Sequence, residues 1–134
     1  MPIPYERIEH TADLAIRVTG SDLPDLFANT AAALFEMMAE PPAASEQMRE
    51  VLVESVDVEG LLVDWLNQLI FSHEVYGETY DRFAITAFAP TELRATLYGG
   101  PTTRKLKTIK AATFHELIIK ETEQGALAEI IFDV

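Results

Sequence analysis

Leu61-Leu62-Val63-Asp64-Trp65-Leu66-Asn67-Gln68-Leu69 is the stretch on which the fold turns. Leu62, Trp65, Leu66, Leu69, Ile70 and His73 recur at helical spacing and make one apolar stripe, while Asp64, Asn67, Gln68 and Glu74 lie away from its centre. That periodicity predicts core packing, with Trp65 as a core anchor. Asp57 sits where a helix cap is wanted and Gly77 can end the run, so the spacing predicts a helix from Glu59 to Tyr76.

Outward from this helix the pattern changes. Upstream, Val51, Val53, Ser55 and Asp57 alternate with Leu52, Glu54, Val56 and Val58, which suits a strand. Pro41-Pro42-Ala43-Ala44-Ser45-Glu46 cannot continue a helix and reads as an exposed loop. Before it, Gly20-Ser21-Asp22 supplies helix-start residues for an amphipathic helix from Leu23 to Ala39, and Tyr5 to Ile8 and Leu14 to Val18 read as short strands. Downstream, strands are expected at Phe83 to Ala89, Leu93 to Tyr98, Thr113 to Glu121 and Leu127 to Val134. Turn signals at Ala89-Pro90-Thr91, Gly99-Gly100-Pro101 and Glu123-Gln124-Gly125 separate them. The expected class is α+β, with two amphipathic helices packed on a largely antiparallel or mixed β-sheet.

A chain of 134 residues, 49% of them apolar, fits one domain over residues 1–134 with one sizeable core. No apolar run approaches the roughly twenty residues of a membrane span, and MPIPYERIEH lacks the apolar middle of a signal peptide, so a cytoplasmic protein without a membrane role is expected. The absence of cysteine excludes a disulfide framework, a thiolate nucleophile and a Cys-type zinc site. Ten Lys and Arg against 22 Asp and Glu leave a net charge of −12, which argues against autonomous RNA or DNA binding. A basic protein partner or a cation is the natural complement.

Three stretches could carry chemistry. In Ile8-Glu9-His10-Thr11-Ala12-Asp13-Leu14, polar residues gather between two apolar runs, where turn chemistry and a cation site both explain them. In Phe132-Asp133-Val134, an acidic residue ends an apolar strand, and a natural terminus at Val134 would set an α-carboxylate one peptide away. Lys107 to His115 holds the densest basic residues; Lys110 could neutralise a carboxylate cluster, contact a phosphate or simply decorate a strand edge. Carboxylates drawn together from opposite chain ends repel and need a cation or a proton. Oxygen donors without thiolates suit Ca²⁺, Mg²⁺ or Mn²⁺ rather than structural Zn²⁺, and His10 or His115 could add a nitrogen ligand or a neighbouring hydrogen bond. No GxxxxGK, HExxH, GxSxG or DxDxDG pattern is present, and no nucleophile and base pair is evident for a hydrolase built on Asp13, Asp133 and a histidine.

EHTADL, LLVDWLNQL, IKAATFHEL and the terminal FDV, in that order and spacing, resemble the archease family over essentially the whole chain. The departures are small: Ala15 where glycine is common, Gln68 where glutamate is common, and Ala112-Thr113-Phe114-His115 for a Val-Thr-Tyr-His run. The resemblance implies a non-catalytic accessory protein of the tRNA-splicing RNA ligase, which joins a 3′-phosphate or 2′,3′-cyclic phosphate to a 5′-hydroxyl. It implies promotion of guanylylation of the ligase histidine and of multiple turnover. It further implies a divalent-cation site, calcium in a crystal with magnesium or manganese as alternatives, held by Asp13, Asp133 and an oxygen of Val134. Lys110 matches the family's functional lysine, and Glu9, His10 and His115 would surround the ligands. A chaperone-like role toward tRNA-modifying enzymes such as a tRNA methyltransferase is the alternative implied by the same resemblance.

Overall fold

A computed structural model describes residues 3–8 and 13–134. The strand β1 is Tyr5–Ile8 and β2 is Leu14–Gly20, followed by helix α1, Leu23–Met38. β3 is Gln47–Glu54 and α2 is Val58–Tyr76. Five strands close the chain: β4 Glu78–Ala89, β5 Glu92–Pro101, β6 Ala111–Ala112, β7 Ile118–Thr122 and β8 Gly125–Asp133.

Each helix begins where a side chain satisfies its orphan amides. The Asp22 carboxylate accepts from the Asp25 amide at 2.9 Å, and the Asp57 carboxylate accepts from the Gly60 amide at 2.7 Å. Gly77, at φ +63°, ends α2 in the left-handed region that glycine adopts without strain. Every residue of the expected α2 stripe is buried, and the Trp65 indole, fully enclosed, donates to the Phe27 carbonyl at 3.0 Å.

The strands form two sheets, and every strand pair among the described residues is antiparallel. One sheet runs β1-β2-β8, with β7 and β6 taking successive stretches of the far edge of β8; the other runs β3-β5-β4. α1 touches β2 and β8 of the first sheet and β4 of the second, while α2 touches β6 of the first and β3 and β4 of the second. The helices therefore fill the space between the sheets, and the core lies there. Among the described residues no helix is long and apolar enough to cross a membrane.

Four expectations are corrected. β3 runs over Gln47–Glu54, not 51–58, because Asp57 and the close packing of Gly60 on Ser55 commit the following residues to α2. The expected strand from Thr113 to Glu121 is two strands with a connection over 113–117, within which Glu116 has φ 52°. Gly99-Gly100-Pro101 is not a turn but the end of β5. A Cβ on Gly99 would lie 2.0 Å from the Thr79 carbonyl oxygen and one on Gly100 2.5 Å from that of Ala44, so these glycines permit close approach. The single expected sheet is two, since α2 separates the edges at β3 and β6.

A polar knot ties β3 to β4. Arg49 donates to Glu78 at 2.8 Å, Tyr80 donates to the same carboxylate at 2.5 Å, and the Arg49 guanidinium lies 3.8 Å over the Tyr76 ring. The Arg49 bond holds the Glu78 carboxyl below the ordinary glutamate range, while burial, then the bond to Glu78, pushes the Tyr80 hydroxyl well above its own. A depressed carboxyl stabilises the fold fully above the unfolded glutamate value, about 4.3, and that contribution fades as the pH falls through the folded value. Glu78→Gln should therefore flatten the stability profile between about pH 5 and pH 3, measured by urea unfolding. Trp65→Ala should cost about 3–5 kcal/mol, checked by the same unfolding curves.

Candidate functional site

β2 pairs with β8 in a register that sets Leu14 against Phe132, Ile16 against Ile130 and Val18 against Ala128. These six side chains face inward and are buried. The ladder ends at Leu14 and Phe132, and extending its register by one residue would set Asp13 opposite Asp133. Each is one residue beyond a buried partner, so strand alternation turns both toward the outer face. Two acidic residues from the two ends of the chain thus come to one corner of the sheet.

The same corner receives β6. Ala111 pairs with Asp133 and Ala112 with Phe132, and the Lys110 amide donates to the Asp133 carbonyl at 2.8 Å. Lys110 is exposed, and among the described residues neither Lys110 nor Asp133 makes an ion pair. The backbones of Lys110, Asp13 and Asp133 are therefore brought to one corner of the sheet. Val134 follows directly, 39% exposed. His115 sits on the 113–117 connection and is exposed, whereas Glu9 and His10 lie outside the described residues.

On the edge away from β8, β6 is held by a side chain rather than by another strand. The Asn67 carboxamide of α2 donates to the Ala112 carbonyl at 3.2 Å and accepts from the Ala112 amide at 2.8 Å. One side chain thereby satisfies both polar groups that a neighbouring strand would otherwise take. The adjoining outer face is mostly apolar: Ile8, Ala15, Leu117, Ile118 and Ile131, with Glu116 and Glu129 beside them, line a shallow cavity of about 460 Å³. Ala15, the departure from glycine, contributes its methyl group to that floor and is 5% exposed. The Gln68 and 112–115 departures leave the corner's oxygen donors in place.

The donor chemistry suits a hard cation. The carboxylates of two residues at one corner, with main-chain oxygens of Asp133 and Val134 alongside, are an all-oxygen set of the kind Ca²⁺, Mg²⁺ and Mn²⁺ accept. Among the described residues no three His, Cys, Asp or Glu side chains gather to hold a metal, so such an ion would complete its shell with main-chain oxygens or water. Lys110 adds a cation able to meet a phosphate. The role of Asn67 had no signature in its own segment, because its partner lies 45 residues away. Asn67→Leu should leave both groups of Ala112 unsatisfied, costing about 1–3 kcal/mol, and speed amide exchange at Ala112 beyond that of the β2 amides.

Comparison with known proteins converges on one family. The model of the archease protein family matches residues 5–134. Protein archease of Methanosarcina acetivorans is 33% identical over 139 residues, covering 97% of this chain and 95% of that one. Protein archease of Pyrococcus abyssi is 32% identical over 140 residues, covering 97% and 98%. Among solved structures, the solution structure of Methanobacterium thermoautotrophicum protein 1598 superimposes with a TM-score of 0.80 at 28% identity, covering 99% of this chain and 100% of that one. The crystal structure of an archease from Thermotoga maritima, described as a possible chaperone, shares the fold with a TM-score of 0.69 at 23% identity, covering 96% of each chain.

Proposed function

The chain belongs to the archease family, and from that premise we propose that it is a non-catalytic activator of a tRNA-splicing RNA ligase, working through the Asp13, Asp133 and Lys110 corner. The observation that supports this reading is the register: the β2–β8 ladder ends at Leu14 and Phe132, the neighbours of Asp13 and Asp133, and the Lys110 amide donates to the Asp133 carbonyl. Asp13 and Asp133, with an oxygen of Val134, would hold a divalent cation, which when bound supplies a fixed positive charge. Lys110 presents an ammonium beside it, so this end of the chain offers two cationic points on an otherwise acidic protein. Phosphate groups at the ligase site would be oriented by such points, which is electrostatic preorganisation supplied in trans for guanylylation of the ligase histidine. The net charge of −12 suits docking beside the basic channel of an RNA-binding enzyme.

The test is multiple-turnover RNA ligation by the cognate ligase with GTP and Mn²⁺ or Mg²⁺. The wild-type chain should raise turnover, while Asp13→Ala, Asp133→Ala and Lys110→Ala should each lower the plateau by roughly tenfold or more, about 1.4 kcal/mol or above. No rise with the wild type, from a ligase active in a single round, would overturn the reading in favour of a chaperone-like module for tRNA-modifying enzymes. Cation binding has its own readout: Ca²⁺ at about 100 times its dissociation constant should stabilise the wild type by about 2.7 kcal/mol in thermal unfolding. Asp133→Asn should abolish that shift.

A further inference from the structure

The outward strip of α2 carries a second surface. A groove of about 410 Å³ runs between α2 and β3, an end strand of the three-stranded sheet; Leu52, Glu54, Asp64, Gln68 and Phe71 line it. Leu52 is 46% and Phe71 49% exposed, and the next turn of α2 adds Val75 at 59% and Tyr76 at 49%. Four large apolar side chains on one face, each about half in water, mark an interaction surface rather than a solvated helix. They are also held in place: Phe71 meets Tyr76 edge to face at 6.1 Å, and Tyr76 lies beneath Arg49.

Charge identifies the occupant. Glu54 and Asp64 make no ion pair among the described residues, whereas the nearby cations are taken, Arg49 by Glu78, Arg94 by Glu92 and Lys105 by Glu74. The groove therefore offers apolar contact with unneutralised negative charge at its walls. A second copy docking through this groove about a two-fold axis would set these carboxylates against their own equivalents, which repel. A segment that is apolar on one side and rich in Lys or Arg on the other fits both features.

The location links this surface to the corner. Asn67 also lines the groove, and its carboxamide grips Ala112, whose neighbour Ala111 pairs with Asp133. We infer that the Leu52–Phe71 groove is the docking site for a basic, amphipathic segment of the partner ligase. Apolar side chains seat on Leu52 and Phe71, and Lys or Arg faces Glu54 and Asp64. The inference rests on the activator reading, and assigns affinity to the groove and activation to the corner.

Titration of the full-length chain into the ligase separates the two. For the double variant Leu52→Ser/Phe71→Ser, the concentration giving half-maximal turnover should rise by roughly tenfold or more while the plateau is kept. Glu54→Lys/Asp64→Lys should do the same and lose most of the salt dependence shown by the wild type. All four residues are at the surface, and unchanged thermal unfolding would confirm that the variants are folded. An unchanged half-maximal concentration in both double variants would overturn the inference, as would a wild-type dimer in sedimentation that Leu52→Ser/Phe71→Ser dissolves. If the wild type does not activate at all, the activator reading fails by itself. Calorimetry with the ligase then decides the groove: binding lost in the double variants upholds it, and no binding by the wild type overturns it.

Discussion

Strand β8 is paired on both edges, and its register is the constraint from which the rest follows. β2 takes one edge along its whole length, and β7 and then β6 take the other. Because side chains alternate, a slip of one residue would turn Ile130 and Phe132 outward and drive Glu129 and Asp133 into the core. Burial of Phe132 or Ile130 contributes about 1.5–3 kcal/mol each. Two like charges at 4 Å in water oppose one another by about 1 kcal/mol. Packing wins that comparison, so the core fixes the register that brings the backbones of Asp13 and Asp133 to the same end of the sheet.

α2 does two jobs with two faces. Its inner stripe, with Trp65 fully enclosed, closes the space between the sheets. Its outer strip meets the edge of each sheet, β6 through the Asn67 carboxamide and β3 through the groove wall. A two-residue strand such as β6 has too few ladder bonds to stand alone. Held between β8 and Asn67, it presents Lys110 at a defined place, and a displacement of α2 would reach the corner through one hydrogen-bonded side chain.

Much of this was legible from short-range pattern. α1, α2, both aspartate caps, the Gly77 stop and β1 are local, and periodicity or turn chemistry reads them within a turn or two. The misreadings are all tertiary. Gly99-Gly100-Pro101 has the composition of a turn, but the neighbouring Thr79 and Ala44 carbonyls are what require glycine there. β6 and β7 share an apolar run that looks like one strand, and only their common partner β8 shows that residues 113–117 leave the sheet. At the site, Asp13, Asp133 and Lys110 were reached through the family resemblance, since no spacing in one segment says that residues 13 and 133 will come to one corner. The Asn67 grip and the groove were not reached at all, because each needs two elements far apart in sequence.

The distribution of cations sharpens the division between docking and activation. Of the basic side chains, Arg17 is held by Glu6 and Glu129, Arg49 by Glu78, Arg94 by Glu92, Arg104 by Glu40 and Lys105 by Glu74. Arg82 lies 4.6 Å over the Tyr98 ring. Among the described residues, five of the ten Lys and Arg are thus held in ion pairs, of which those at Arg17 and Arg49 join strand to strand, each exposed pair contributing little to stability. Glu54 and Asp64 on the groove walls, and Asp133 and Lys110 at the corner, make no ion pair among the described residues. A basic partner is drawn by the first over several ångströms, with a salt-dependent on-rate. On the proposed activator reading the second would act at contact, arranging phosphate and metal only once the partner is seated. On that reading, affinity and activation would therefore be lost separately, because the groove and the corner are joined through α2 but draw on different residues.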